Sequence, residues 1–554
     1  MKKNTKDYPD DFSAWQQYAK SLEPIHVGWL KHAKKKGQYA GLDISTGISV
    51  ERERFLVGVL LFSKVIKSLS PEQNIGLMVP SSVGGAITTM SILSIGKTVV
   101  NLNFTSGKKS LQNAASVAKL STIYTSRKFI DKLLEKGTDI VSFFPEINIV
   151  YLEDVKESIG TGSKIKALLI SKLLSAKSIQ RRFFKKVDGN DTAAILFSSG
   201  SEGSPKGVEL SHTNLAANAK QAAIAMNIQT NDVMMSTLPT FHSFGFLATT
   251  LMPLSNGVPI VCHPDPTEVE TIAAGVEKYN GTVLVGTPTF LRMYTMNRKV
   301  NSQMLESIRM AVSGAEKLTI ETAESFQLKF NKTIYQGYGC TETTPAAGIN
   351  LPDTEDDNAN LIVNNKPGTV GRALIGTQYR IVDPDSIEEL ATGEDGLILI
   401  GGPQVMKGYL EMADKTAQVI DIMDGTRWYH SGDKGHLDKD GFLTIVDRFS
   451  RFAKIGGEMV SLSAVEEQIQ HSLEAPELDL VAVAVDDDKR GEKVIILVAD
   501  KKIDLAKIKA ALLSDEVAPI MFPSKVIYVD EVPKLGTGKT DFGAAKKVAQ
   551  VHIS

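Results

Sequence analysis

Apolar positions along the chain alternate between helical and extended spacing. Residues 55–69 keep an apolar face at helical period and predict a helix. Residues 74–80 form a short apolar run ending at Pro80, which predicts a buried strand and a turn. Small and apolar residues at 83–95 predict another helix, and 98–102 and 148–152 predict strands. Residues 1 to about 45 are charged and aromatic without a clear period, and read as a helical cap or wrapping arm. A second alternating block spans 192–349. It has a strand at 193–197, a helix N-capped by Ser211 and reaching Met226, and strands at 258–263, 282–286, 310–313 and 333–336. From 367 to 447 glycines become frequent and strands shorten, as in a small β-rich lobe. Beyond 448, helices at 462–470 and 505–513 mix with strands at 478–485 and 494–499.

Strands alternating with helices of this length predict an α/β fold. The expected architecture is a large N-terminal domain of two doubly wound sheets plus a small β-rich lobe, followed by a small α+β C-terminal domain. The expected bounds are an arm over 1–50, a large domain over 51–447 (subdomains near 51–190, 191–360 and 361–447) and a C-terminal domain over 448–554.

Composition narrows the function classes. The chain has 554 residues, 42% hydrophobic and 23% charged, an ordinary globular balance. Its 62 basic and 64 acidic residues leave a net charge of −2, so no basic excess points to nucleic acid. Two cysteines exclude a disulfide scaffold and suit a cytoplasmic protein. No apolar run follows the N-terminal lysines, which argues against a secretory signal. The longest apolar stretch, 55–62, falls far short of the ~20 residues that span a bilayer.

The sharpest local signal is Ser198-Ser199-Gly200-Ser201-Glu202-Gly203-Ser204-Pro205-Lys206-Gly207, read as following a strand and preceding a helix. Glycines let the backbone approach a ligand, and successive N–H groups in such a loop form an anion nest. Hydroxyls and a lysine add donors, as a triphosphate requires; a solvent loop has the same composition. The spacing is not that of a Walker loop. Gly538-Lys539-Thr540 has the end of that pattern, but Pro533 stands where its first glycine belongs. Asp438, Asp440 and Gly441 suggest a calcium loop. His436 and Asp447 occupy its first and last ligand positions, so a hairpin turn is the better reading.

Five segments occur in order: SSGSEGSPKG at 198–207, YGCTE at 338–342, WYHSGDKG at 428–435, DRFSRFAKIGGEMVS at 447–461 and PKLGTGKTD at 533–541. Over about residues 50–545 their order and spacing resemble the adenylate-forming superfamily of acyl-CoA synthetases, peptide-synthetase adenylation domains and luciferases. The Ser-Glu-Gly loop, FAKIGGEMVS and Val100-Asn101-Leu102-Asn103-Phe104-Thr105 look closest to bacterial acyl-acyl-carrier-protein synthetases. Those are often fused to an acyltransferase; no room exists for one here, which implies a stand-alone synthetase.

The resemblance implies two half-reactions. A carboxylate attacks the α-phosphate of ATP, giving an acyl-adenylate and pyrophosphate; a thiol then displaces AMP. It implies that Lys539 bridges the carboxylate and the α-phosphate, where an ammonium offsets developing charge. It implies that Thr341 donates to the phosphate and that Glu342 holds Mg²⁺; an acid stabilised at a helix N-terminus explains Glu342 as well. The phosphate loop residues Ser198, Ser199, Gly200, Ser201, Glu202, Gly203 and Lys206 would hold the triphosphate. Asp433 would accept the ribose hydroxyls, with Arg448 beside it. Gly314, Ala315 and Glu316 would line the adenine, and Tyr338, next to Gly339, would stack on it or simply pack in the core. His242 would lie near the carboxylate and the acyl tunnel, and 285–290 would form a wall of the acyl pocket. Three residues depart from the family's pattern. Glu202 replaces a common threonine, Ser450 stands at the pivot of the mobile C-terminal domain, and Asp541 replaces a common basic residue.

The implied function is ATP-dependent activation of a medium or long fatty acid and its transfer to the phosphopantetheine of acyl carrier protein. An acyl-CoA synthetase is the alternative; a fatty-acyl-AMP ligase and a non-catalytic nucleotide-binding scaffold are further ones. From Lys164 to Lys186 the chain carries eight basic residues (Lys164, Lys166, Lys172, Lys177, Arg181, Arg182, Lys185 and Lys186) and no acidic one. Ile165, Leu169, Leu173, Ala176, Ile179 and Phe183 recur there at helical spacing. One basic amphipathic helix is expected, suited to a membrane surface, an acidic partner or packing on the core. A cytoplasmic protein, peripheral on the inner face of the cell membrane, follows from the first of these.

Overall fold

The computed structural model describes residues 8–35, 39–198, 205–356, 358–455, 458–487, 490–515, 517–534 and 540–553. It has the expected α/β architecture. The first sheet runs in the order Gly408–Tyr409, Lys206–Ser211, Thr192–Ser198, Thr98–Asn101, Asn74–Met78, Thr122–Thr125, Asn148–Tyr151. From Thr192–Ser198 onward its pairs are parallel. Alternate residues of one strand enter different cores: Val99 joins one apolar cluster and its neighbour Val100 another. Both sheet faces are therefore covered, which is why these strands read as unbroken apolar runs.

The second sheet has nine strands. Met310–Ser313 lies between Val283–Gly286 and Ile334–Gly339, with both pairings parallel. At its far side Tyr39–Asp43 pairs in parallel with Ile260–Cys262 and antiparallel with Ser49–Glu51, the edge strand. The N-terminal segment thus supplies a sheet edge as well as the helices Phe12–Ser21 and Ile25–Ala33. Tyr39–Asp43 gave no apolar run because it is only five residues long and contains Gly41, where a Cβ would lie 2.7 Å from Val83. Ser211 caps His212–Ala225 through a capping box with Asn214.

Gln378–Val382, Gly396–Gly401, Ile420–Met423, Thr426–Leu437 and Leu443–Arg448 form the β-rich lobe. The backbone amides of Asp440 and Phe442 both donate to the Asp438 carboxylate at 2.9 Å, making the turn between the last two strands. The C-terminal sheet, centred on Gly491–Val498, carries the helices Leu462–Ser472, Leu505–Ser514 and Phe542–Ile553.

Two expectations are corrected. The loop of the SSGSEGSPKG segment precedes a strand: Thr192–Ser198 and Lys206–Ser211 form an antiparallel hairpin, and the helix begins only after Ser211. Val208 and Leu210 are buried in that second strand, an alternation too short to separate from the helix behind it. The basic segment is two helices, Thr161–Leu173 and Ala176–Phe183, because Leu174 turns extended and Ser175 caps the second one. Its apolar stripe does not pack inward throughout. Ile179 is buried, whereas Ile165, Leu169 and Leu173 are exposed.

Candidate active site

In the second sheet the carboxyl ends of three adjacent parallel strands lie on one side, the usual ligand position in such folds. Val283–Gly286 leads to Thr287, Met310–Ser313 leads to Gly314, Ala315 and Glu316, and Ile334–Gly339 carries Tyr338. A Cβ on Gly339 would sit 1.8 Å from the Pro345 carbonyl oxygen, so only glycine fits. Gly314 lies against the Phe244 ring, which is 3.1 Å from where its Cβ would be. Ala315 is left-handed, at φ 74°, a conformation that costs a residue with a Cβ roughly 1–2 kcal/mol. Glu316 turns toward the first turn of Pro288–Met296, where its carboxylate accepts from the Thr289 hydroxyl at 2.8 Å.

Asp433 and Arg448 lie directly opposite each other in the antiparallel pairing of Thr426–Leu437 with Leu443–Arg448. Arg448 Nε donates to Asp433 Oδ1 at 3.0 Å, and the Tyr338 hydroxyl donates to Oδ2 at 2.5 Å. The carboxylate is buried, and its charge pushes the Arg448 pKa upward. Burial, reinforced by Asp433, raises the Tyr338 phenol well above its ordinary value, so it stays a donor. A carboxylate offers about four lone pairs; two are in use here, so two vicinal hydroxyls still find acceptors.

Thr341 and Glu342 follow on a short turn. The Ser243 hydroxyl donates to Thr341 Oγ1 at 3.4 Å, which ties this turn to the segment carrying His242. His242 lies 4.7 Å, ring to ring, from Phe241, which packs edge-on against Phe104. Glu342 is buried, and its Oε1 accepts from the Tyr409 hydroxyl at 2.9 Å. Lys206 places its ammonium 5.3 Å from the centre of the same tyrosine ring. Tyr409 therefore bridges the base of the loop and Glu342. Sequence reasoning missed it: its strand has two residues, and Glu342 is 67 positions away.

No group of three or more His, Cys, Asp or Glu side chains poised for a metal occurs among the described residues. A lone buried carboxylate fits Mg²⁺ nonetheless, because that ion is commonly held by one or two carboxylates together with substrate phosphates. With Oε1 accepting from Tyr409, Oε2 of Glu342 is the oxygen that would hold the ion.

Other predicted residues are placed as follows. Ser198 and Lys206 pair across the mouth of the hairpin. Ser199, Gly200, Ser201, Glu202, Gly203 and Lys539 lie outside the described residues. Lys539 is flanked by Lys534 and Thr540, which form a β-bridge, and Lys534 pairs with Asp479 at 2.9 Å. Two residues away, Glu477 pairs with Arg292 of Pro288–Met296, and Lys317, next to Glu316, pairs with Glu467. The C-terminal sheet thus meets the large part beside the Gly314–Glu316 turn. Asp541 accepts from the Ala544 amide at 2.9 Å and caps the last helix, which accounts for its departure from the family's basic residue. Leu238, Val285, Phe290 and Tyr294 surround a crevice with room for about one water, far too small for a fatty chain.

Comparison with known proteins places the chain in a family. The chain is 29% identical over 472 residues to 4-coumarate–CoA ligase-like 8 of Arabidopsis thaliana, covering 83% of this chain and 80% of that one. It is 27% identical over 491 residues to a long-chain-fatty-acid–CoA ligase of Bacillus subtilis, covering 85% and 84%. The fold superposes on ATP-bound MatB from Rhodopseudomonas palustris with a TM-score of 0.77 at 22% identity, over 96% of this chain and 100% of that chain. The model of the AMP-binding enzyme family matches residues 59–410, so the chain belongs to that family, whose adenylate-forming members act as acid–thiol ligases using ATP and Mg²⁺.

Proposed function

We propose that this ligase activates a medium- or long-chain fatty acid and loads it onto the phosphopantetheine thiol of acyl carrier protein. The cluster of Asp433, Arg448 and Tyr338 next to Glu342 carries the nucleotide part of the reading: ribose acceptors and a metal-binding carboxylate meet at one set of strand ends. In the first step a carboxylate oxygen of the acid bonds to the α-phosphorus, the bond to the β-phosphate oxygen breaks, and pyrophosphate leaves. Lys539 supplies positive charge to the phosphoryl oxygens, Thr341 donates to them, and the loop from Ser198 to Lys206 holds the triphosphate. Glu342 holds Mg²⁺, which neutralises phosphate charge when bound. His242 borders the reacting carboxylate. In the second step the thiol sulfur bonds to the acyl carbon, the thiol proton goes to solvent, and AMP leaves.

Between the steps the C-terminal domain rotates about its junction with the large domain at 448–451. Arg448 is anchored to Asp433. Arg451 is anchored to Glu466 at 2.7 Å and to the Ala482 carbonyl at 2.8 Å. Phe449 and Ser450 are left between the anchors, which supports a pivot there. The choice of acyl carrier protein rests on the sequence stretches 100–105, 201–203 and 452–461. The named relatives act on coenzyme A, which favours the second reading, an acyl-CoA ligase. Fatty acids partition into bilayers, so the proposal includes peripheral contact with a membrane.

Labelled palmitate and ATP, offered with coenzyme A or with holo-carrier protein, separate the readings. Faster acylation of the carrier supports the proposal; acylation of coenzyme A alone replaces it with the second. Lys539→Ala is expected to slow fatty-acid-dependent pyrophosphate exchange by about 10²–10³-fold; an undiminished rate overturns the adenylation mechanism.

A further inference from the structure

We propose that the helix Thr161–Leu173 docks on an anionic phospholipid surface, with its outward apolar face sunk among the headgroups. This rests on the membrane contact included above and names the element that makes it. The helix is apolar on two sides. Its inner side uses small groups: Ala167 and Ser171 are buried, the Ser171 hydroxyl donates to Glu53 at 3.3 Å, and Lys34 donates to the Ser171 carbonyl. Of the large apolar side chains, Ile170 packs partly against the core and the other four are left outside. Ile165 is 54% exposed, Leu168 37%, Leu169 50% and Leu173 77%.

At 3.6 residues per turn these four residues and Lys172 cover roughly 140° of the surface, opposite Ala167 and Ser171. Lys164 and Lys166 fall on the two margins of that face, about 100° to either side of Ile165. A helix held on the core by its apolar stripe would bury these leucines; this one turns them out between lysines. The arrangement is that of a helix lying in a membrane interface, with leucines among acyl chains and ammonium groups at the phosphates. Charge selects the lipid. The eight basic residues between Lys164 and Lys186 meet no acidic one, and Lys177, Arg181 and Arg182 on the next helix are exposed. Each basic group near a negatively charged leaflet adds to binding. A single convex helix offers no groove for a peptide, whereas a fluid bilayer conforms to a ridge.

The test sediments the full-length protein with vesicles of phosphatidylglycerol and phosphatidylcholine, or of phosphatidylcholine alone. The native protein is expected to bind the anionic vesicles and not the zwitterionic ones. Leu169→Gln with Leu173→Gln, and separately Lys164→Glu with Lys166→Glu and Lys172→Glu, should each weaken binding about tenfold or more. In an otherwise native chain, Ile165→Trp should blue-shift its emission on anionic vesicles. The three native tryptophans are all buried away from the vesicle, so subtracting the native protein's emission isolates the new signal. Failure of the native protein to bind, glutamine variants that bind as well as it does, or an unshifted Ile165→Trp emission overturns the inference. So do variants that keep vesicle binding and lose capture of holo-carrier protein, which would make the surface a protein's. Pyrophosphate exchange with a water-soluble short acid, measured without vesicles, reports the ligase reading independently.

Discussion

Tyr409 shows how one side chain joins two functions that the sequence keeps apart. Its hydroxyl donates to Glu342 while its ring faces Lys206, so a single phenol touches both the carboxylate proposed to hold Mg²⁺ and the foot of the loop proposed to hold phosphate. Burial and the nearby Glu342 charge push its pKa upward, so it remains protonated at any working pH. Tyr409→Phe keeps the ring and removes the donor. The Mg²⁺ concentration for half-maximal adenylation should rise several-fold while the rate at saturating Mg²⁺ changes by less than about threefold. A metal requirement identical to that of the native protein would show that the hydroxyl orients nothing. Asp433 carries a sharper expectation. Removing the charge with Asp433→Asn weakens two donor contacts at once, and the KM for ATP should rise about tenfold or more, with the KM for the fatty acid little changed. Equal effects on both would remove Asp433 from the nucleotide side.

At the scale of the element, the junction at 447–451 combines two firm anchors with one set of bonds that the proposed rotation would have to break. Asp447, on the last strand of the β-rich lobe, accepts from the Ser461 hydroxyl at 2.6 Å and the Ser463 hydroxyl at 3.0 Å, both beyond the pivot. These bonds hold the present arrangement. Ser461→Ala with Ser463→Ala should therefore shift the ratio of adenylate formation to thioester formation severalfold, read by single-turnover kinetics of each step. Parallel changes in both steps would mean that the bonds stabilise without gating. The same scale shows the reach of periodicity. The helix predicted from Ser211 to Met226 forms as His212–Ala225, because its cap and its small inward residues are local signals. The basic segment was read as one continuous helix. A two-residue break at Leu174 and Ser175 interrupts it without disturbing the apolar spacing.

At the scale of the whole molecule, the second N-terminal helix meets the large domain at a buried pair of histidines. His26, on Ile25–Ala33, and His212, at the start of His212–Ala225, are both buried with ring centres 5.4 Å apart. Neither His26 ring nitrogen finds a hydrogen-bond partner among the described residues. Burial, with His212 adding to it, lowers the His26 pKa to about 3; burial lowers that of His212 to about 4. An unfolded chain protonates both near pH 6.5 while the folded one refuses the protons. Their contribution to stability is therefore complete above pH 6.5 and lost as the pH falls toward 4 and then 3. Each ring should steepen the fall by up to about 1.4 kcal/mol per pH unit. The melting temperature of His26→Leu should approach that of the native protein as pH drops through this window. Parallel curves would mean that the rings protonate within the fold.

Local order was enough for much of this protein. Strand and helix periods, the capping serine and five ordered segments identified the fold class, the family and the residues that gather at the strand ends. Each of those signals is carried by neighbours in the chain. Only the tertiary structure decided that Asp433 stands opposite Arg448 and accepts from Tyr338, that Tyr409 donates to Glu342, and that the N-terminal strand Tyr39–Asp43 joins a sheet whose next strand, Ile260–Cys262, lies about two hundred residues later. It alone decided which side of Thr161–Leu173 faces outward. A helical repeat fixes which side chains share a face, but the choice between core and solvent for that face depends on what packs beside it. Here small residues let the helix settle close on Arg52–Leu69 and leave its leucines outside.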